Sequence, residues 1–213
     1  MEKSLSLALD ARKAIVVVDM QKDYCMPEGI IGSLGYDTSH FEDVARRQAA
    51  FLQQARSWFD QVIFIRTLFP QWPRSRAQSL QYGRSKLARQ RDPSMTEWYG
   101  VSPQAGDHVI TKARYSAFRD TQLDALLRAS RIETLVIFGA TTDVCVDTTV
   151  RDAFQLDYAV VVLSDCCGAS TPSRHEHALD VMNQFFASVH PAAEVLQALH
   201  APASIGPQSK ETR

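Results

Sequence analysis

The sequence predicts an α/β domain of the doubly wound kind: three layers, α/β/α, around a mostly parallel six-stranded sheet. Three observations predict it. Short continuous runs of apolar, β-branched residues recur along the chain, Ala14-Ile15-Val16-Val17-Val18 being the first, and read as strands buried on both faces. Segments of helical periodicity separate them. The chain has 213 residues, 45% hydrophobic and 22% charged, enough to bury a sizeable core with an ordinary soluble composition.

The elements follow in order. After the strand at 14–18 comes a helix over 41–58, with Thr38 or Ser39 as its cap. Val62-Ile63-Phe64-Ile65 is the second strand. A polar, irregular stretch over 69–106 carries Pro70, Pro73, Pro93 and Pro103. It also carries a basic cluster, Arg74, Arg76, Arg84, Lys86, Arg89 and Arg91. So long an excursion reads as a lid or substrate-binding segment, and its charges, taken alone, as a solvated face. A short strand over 107–111 precedes a helix over 122–130, capped by Asp120 or Thr121, with Leu123, Leu126 and Leu127 on one face. Leu135 to Phe138 is the fourth strand. A small-residue bend, Gly139-Ala140-Thr141-Thr142-Asp143, leads into a helix over 146–156. A strand over 158–163, a helix over 172–185, a short strand over 186–189 and a helix over 192–199 complete the pattern. Residues 1–200 are expected to form one domain. The tail, 201–213, is rich in Pro, Ser and charge and is expected to be disordered.

Composition narrows the function classes. A net charge of -1 gives no broad surface for nucleic acid or membrane. No stretch approaches the ~20 apolar residues of a membrane span. Met1 to Leu9 lacks the apolar core and cleavage site of a secretory signal. The four cysteines, Cys25, Cys145, Cys166 and Cys167, sit in a chain too large and apolar to need disulfide staples, which points to a reducing, cytoplasmic setting. His40, His108, His175, His177, His190 and His200 are scattered, so no metal or other cofactor is assigned.

In doubly wound sheets the ligand crevice lies beyond the carboxyl ends of the strands. Asp19 stands directly after the first strand, Lys112 directly after the third, and Cys145 a short turn after the fourth. Cys145 also opens a helix, where unpaired N–H groups and the helix dipole favour negative charge. A lowered thiol pKa is therefore expected there, and the same N–H groups can hold an oxyanion. A carboxylate buried beside apolar strands is a stronger base than an exposed one, and an ammonium favours both anions. Each residue alone has a plainer reading: a turn-forming Asp, a surface Lys, a core Cys.

The segments around these residues resemble one family. Ala14-Ile15-Val16-Val17-Val18-Asp19-Met20-Gln21-Lys22-Asp23-Tyr24, Thr111-Lys112-Ala113-Arg114-Tyr115-Ser116-Ala117-Phe118 and Gly139-Ala140-Thr141-Thr142-Asp143-Val144-Cys145-Val146-Asp147-Thr148-Thr149 are similar, in order and spacing, to three motifs of the isochorismatase-like cysteine hydrolases. The resemblance implies an Asp19–Lys112–Cys145 triad, a cis peptide between Ala140 and Thr141, and an oxyanion hole from the N–H groups of Thr141 and Cys145. It implies hydrolysis of a small carboxamide or ureido compound through a thioester, with release of ammonia. It also implies an aromatic wall at Tyr24, and an expectation of a homo-oligomer. Trp72 is a candidate for a facing wall. The retained cysteine argues against vinyl-ether hydrolysis. Arg66-Thr67-Leu68-Phe69-Pro70-Gln71-Trp72-Pro73 lacks the metal-binding histidines of the nicotinamidases. The 112–123 and 151–154 segments look most like the ureidoacrylate and biuret amidohydrolase branch, with nicotinamidase-like or N-carbamoylsarcosine-amidase-like hydrolysis as the alternative. Asn183 and Gln184 either meet a ureido group or end a solvated helix. Two other classes stay open: a catalytically silent α/β binding or scaffold protein, and a thiol redox protein using Cys166 and Cys167.

Overall fold

A computed structural model describes residues 2–68, 75–82 and 92–201. The apolar runs form six strands: β1 (Lys13–Val18), β2 (Gln61–Thr67), β3 (His108–Lys112), β4 (Thr134–Ala140), β5 (Ala159–Gly168) and β6 (Ser188–His190). All pair in parallel, in the order β3-β2-β1-β4-β5-β6. Helices cover both faces. That is why Ala14 to Val18 are fully buried and why β1 reads as an unbroken apolar run rather than an alternating one.

The helices are α1 (Glu2–Asp10), α2 (Lys22–Cys25), α3 (Ile30–Ser33), α4 (His40–Ala55), α5 (Arg76–Tyr82), α6 (Leu123–Ala129), α7 (Asp147–Gln155), α8 (Pro172–Phe185) and α9 (Ala192–His200). On α4 the buried Phe41, Val44, Ala45, Gln48, Phe51, Leu52 and Ala55 recur at three- and four-residue spacing and face the sheet. Phe51 meets Phe138 of β4 edge-on, with ring centroids 5.7 Å apart. Each such large apolar side chain contributes ~1.5–3 kcal/mol by leaving water. No helix among the described residues is long and apolar enough to cross a membrane.

Several local expectations change. The sequence reading has no helix before β1; α1 is there, held by buried Leu5 and Leu9 and by the Thr134 hydroxyl donating to the Ala8 carbonyl at 2.6 Å. Two apolar contacts four residues apart are too sparse a stripe to stand out in the sequence. At the start of α4 Ser39 holds the cap position, as expected, but its side chain accepts no first-turn N–H; the Asp37 carboxylate takes the Ser39 N–H and hydroxyl at 2.9 Å each. At α6, Thr121 rather than Asp120 accepts the Leu123 N–H at 3.2 Å. Lys112 is the last residue of β3, not the first beyond it.

Of the 69–106 excursion, residues 75–82 and 92–106 are described. Its returning end lies antiparallel along residues 20–22: Lys22 N–H donates to the Glu97 carbonyl and Tyr99 N–H to the Met20 carbonyl, each at 2.9 Å. The expected tail beyond Ala201 lies outside the described residues.

Candidate active site

The strand order reverses between β1 and β4, the place where doubly wound sheets open a crevice. Val18 at the end of β1 pairs with Gly139 of β4, so the chain leaves both strands side by side. Gly139 has φ 140°, and a Cβ there would lie 2.0 Å from the Val18 carbonyl oxygen; only glycine fits. Asp19 itself takes φ 48°, an uncommon backbone for a residue with a side chain. Its N–H donates to the Ile65 carbonyl at 3.0 Å, and its carbonyl accepts the Gln21 N–H at 2.8 Å, which fixes that conformation.

The structure brings Asp19, Lys112 and Cys145 into contact. Lys112 Nζ lies 2.6 Å from Asp19 Oδ2, 3.4 Å from Cys145 Sγ and 3.0 Å from the Arg114 carbonyl, so its three protons each have an acceptor. Relative exposures are 0% for Asp19, 1% for Lys112 and 5% for Cys145. Thr67 Oγ1 donates to Asp19 Oδ1 at 3.1 Å. Oδ2 faces the ammonium, and the Cys145 thiol also interacts with the Asp19 carboxylate.

Burial disfavours the Lys112 charge, but the Asp19 carboxylate and the Cys145 sulfur outweigh it and hold its pKa above the usual lysine value. Cys145 goes the other way from the expectation. Burial pushes its thiol up to about 12, Asp19 adds to the rise, and Lys112 only partly opposes it. That shift favours the neutral thiol over the thiolate. The helix N-terminus does not decide its charge because Cys145 precedes α7, inside a π-helical turn over Thr142–Val146, and is out of water.

That turn follows a cis peptide between Ala140 and Thr141. The Thr141 carbonyl accepts from Val144 N–H at 3.2 Å and Val146 N–H at 3.1 Å, passing over the Cys145 N–H between them. Four contacts that sequence reasoning missed hold the turn. Thr149 Oγ1 donates to the Cys145 carbonyl at 2.7 Å and accepts Ala117 N–H at 3.0 Å, tying the Cys145 turn to the Lys112 segment. Thr142 Oγ1 and His175 Nδ1 are 2.9 Å apart, and Arg174 reaches Asp143 at 3.5 Å, both from the first turn of α8. Burial holds the His175 pKa below the usual histidine value. Thr149 and Thr142 lie inside the quoted motif, so their closeness to Cys145 was the available signal; their partners were not.

Residues 13–194 match the family model of the isochorismatase domain. The chain belongs to the isochorismatase family. Among curated relatives, a ureidoacrylate amidohydrolase RutB from Stutzerimonas stutzeri is 34% identical over 191 residues, covering 81% of this chain and 76% of the relative. The RutB of Serratia proteamaculans is 34% identical over 208 residues, with 90% and 84% covered. Among solved structures, a cysteine hydrolase from Pseudomonas syringae superposes with TM-score 0.75 at 29% identity over 90% of this chain and 93% of its own. An N-carbamoylsarcosine amidase from Thermoplasma acidophilum superposes with TM-score 0.67 at 25% identity, over 85% and 96%.

Other candidate positions of this isochorismatase-family chain are less gathered. Tyr24, on α2, is half-buried and packs against the core. Trp72 lies outside the described residues. Asn183 is taken up by the fold: its Oδ1 accepts Val189 N–H at 3.1 Å, turning α8 into β6. Cys25, Cys166 and Cys167 are free and buried, and burial pushes all three thiols up. Among the described residues no three His, Cys, Asp or Glu side chains gather closely enough to hold a metal ion.

Proposed function

We propose that the chain is a metal-independent cysteine amidohydrolase that cleaves a small carboxamide or ureido compound at Cys145. One observation carries the reading: a buried ammonium touches both a carboxylate and a thiol, at 2.6 and 3.4 Å. Moving the thiol proton to Asp19 Oδ2 shifts the negative charge from one neighbour of Lys112 to the other. The buried cluster therefore keeps the same net charge before and after, which is what makes a neutral thiol usable as a nucleophile.

The steps follow. Asp19 Oδ2 accepts the Sγ proton as the sulfur attacks the carbonyl carbon. The carbonyl π pair moves to oxygen, where the N–H groups of Thr141 and Cys145 receive it. The tetrahedral intermediate expels ammonia, protonated by Asp19, and leaves a thioester. Asp19 then deprotonates a water that attacks the thioester, and the released sulfur takes a proton back. Tyr24 is assigned as a wall for the substrate. Similarity to the RutB amidohydrolases favours a ureido substrate. Similarity to the N-carbamoylsarcosine amidase supports, as a second reading, a carbamoylated amine.

The test is ammonia release across ureidoacrylate, biuret, carbamoylated amino acids and nicotinamide, with and without chelator. Turnover is expected for a ureido or carbamoyl compound, unaffected by chelator. It should be abolished in Cys145→Ala and fall steeply in Asp19→Asn and Lys112→Ala. Full activity in Cys145→Ala would end the reading.

A further inference from the structure

We infer that Thr67 and Gln21 are positioning residues for Asp19, and that they select Oδ2 as the oxygen that takes the Cys145 proton. The inference rests on the reading of Cys145 and Asp19 as nucleophile and base, and adds how the base is aimed. The Thr67 hydroxyl donates to Oδ1 at 3.1 Å, which occupies that oxygen. Oδ2 carries the ammonium contact at 2.6 Å and keeps a lone pair for the thiol proton, the thiol of Cys145 being a hydrogen-bond neighbour of the same carboxylate.

Thr67 is not free to drift, because Gln21 grips its backbone on both sides. Gln21 Oε1 accepts Thr67 N–H at 2.7 Å, and Nε2 donates to the Thr67 carbonyl at 3.0 Å. The same Nε2 donates to the Thr96 carbonyl at 2.7 Å. Gln21 is 1% exposed and Thr67 4% exposed, so these bonds meet no competition from water. One side chain thus joins three places: the loop that carries Asp19, the end of β2, and the returning end of the 69–106 excursion. The backbone cooperates, since Gln21 N–H donates to the Asp19 carbonyl at 2.8 Å. A glutamine that served only to fill space in the core would have no need of three backbone partners. A threonine that served only β2 would not turn its hydroxyl onto the carboxylate.

Removing the hydroxyl frees Asp19 to rotate about its side-chain bonds and to share its two oxygens between Lys112 and the thiol. Proton transfer then loses its aim while the substrate pocket keeps its walls. The loss falls on kcat and spares KM.

The experiment compares wild type, Thr67→Val, Thr67→Ser and Gln21→Met by two readouts. The first is kcat and KM on whichever compound of the ammonia-release panel turns over. The second is the rate at which iodoacetamide, itself a small carboxamide, alkylates Cys145 at neutral pH, followed by peptide mass spectrometry. Thr67→Val is expected to lower kcat about 10- to 100-fold, the range carried by a hydrogen bond to a charged group. KM should stay within about threefold, and alkylation of Cys145 should slow by a similar factor. Thr67→Ser, which keeps the hydroxyl, should recover most of both. Gln21→Met should follow Thr67→Val. Equal loss in Val and Ser, or a loss tracking only the folded fraction seen by circular dichroism, overturns the inference. So does unchanged alkylation in a folded Thr67→Val. Alkylation reads the positioning without any substrate. Slowed alkylation together with full turnover in Cys145→Ala would sink the amidohydrolase reading and leave the positioning of Asp19 standing.

Discussion

Lys112→Met is the sharpest probe of the buried charge cluster. In the folded chain the ammonium and the Asp19 carboxylate are 1% and 0% exposed and 2.6 Å apart. Removing the ammonium leaves the carboxylate buried with neutral partners, the Thr67 hydroxyl on Oδ1 and the Cys145 thiol, and no cation in contact among the described residues. Breaking a buried pair from one side destabilises by ~3–5 kcal/mol, whereas an exposed pair contributes ~1 kcal/mol or less. For a chain of 213 residues the buried figure corresponds to a Tm lowered by ~6–20 °C. Asp19→Asn combined with Lys112→Met removes both charges, and should recover at least ~2 kcal/mol of the loss. The assay is urea unfolding of wild type, both single variants and the double variant, followed by tryptophan fluorescence. A Lys112→Met loss below ~1 kcal/mol, or a double variant no more stable than Lys112→Met, would refute the claim that these charges balance each other out of water.

Stability should also fall in alkali with a share owed to Cys145. The unfolded thiol ionises near 9.0 and the folded one near about 12, so in that window the unfolded chain holds fewer protons and stability drops as pH rises. The drop is ~1.4 kcal/mol per pH unit for one group, and Cys145→Ala should show a correspondingly shallower decline in urea unfolding above pH 9.0. Lys112 acts in the same direction: its pKa is raised from 10.5, so its contribution is complete below that value and is lost as pH climbs through the folded one. The difference in thiolate absorbance between wild type and Cys145→Ala should be absent at neutral pH; a thiolate signal there would contradict the neutral resting thiol. Gly139→Ala is expected to cost ~2–5 kcal/mol, since it meets both a φ of 140° and a contact of 2.0 Å with the Val18 carbonyl. A urea midpoint equal to wild type would show that β1 and β4 can separate there.

Much of this was legible in the residues. The apolar runs marked the four inner strands, β2, β1, β4 and β5, because a parallel sheet covered on both faces leaves no polar alternation to confuse the pattern, whereas the edge strands β3 and β6 are only partly buried. Strand ends were less legible: β2 and β5 run on to Thr67 and Gly168, where polar residues continue the ladder. The residues at those ends are the ones that matter, and Thr67 went unnoticed for that reason. The closeness of Asp19, Lys112 and Cys145 followed from their places at the carboxyl ends of β1, β3 and β4. The upward shift of the Cys145 thiol did not follow, because it comes from depth of burial, which Lys112 opposes only in part, and depth of burial is not written in the position of a residue along the chain. Gln21 sat within the first motif, two residues from Asp19. Its partners are 46 and 75 positions away in sequence, and no local pattern announces bonds of that range.

The central claim is that Cys145 becomes covalently acylated during turnover. Acid-quenching the enzyme while it consumes a ureido or carbamoyl compound, and mapping peptides by mass spectrometry, addresses this directly. A substrate-derived mass on the Cys145 peptide of wild type, accumulating further where deacylation is slowed and absent from Cys145→Ala, is the predicted result. Ammonia release by a Cys145→Ala enzyme at the wild-type rate, with no modified cysteine at any time point, would contradict it.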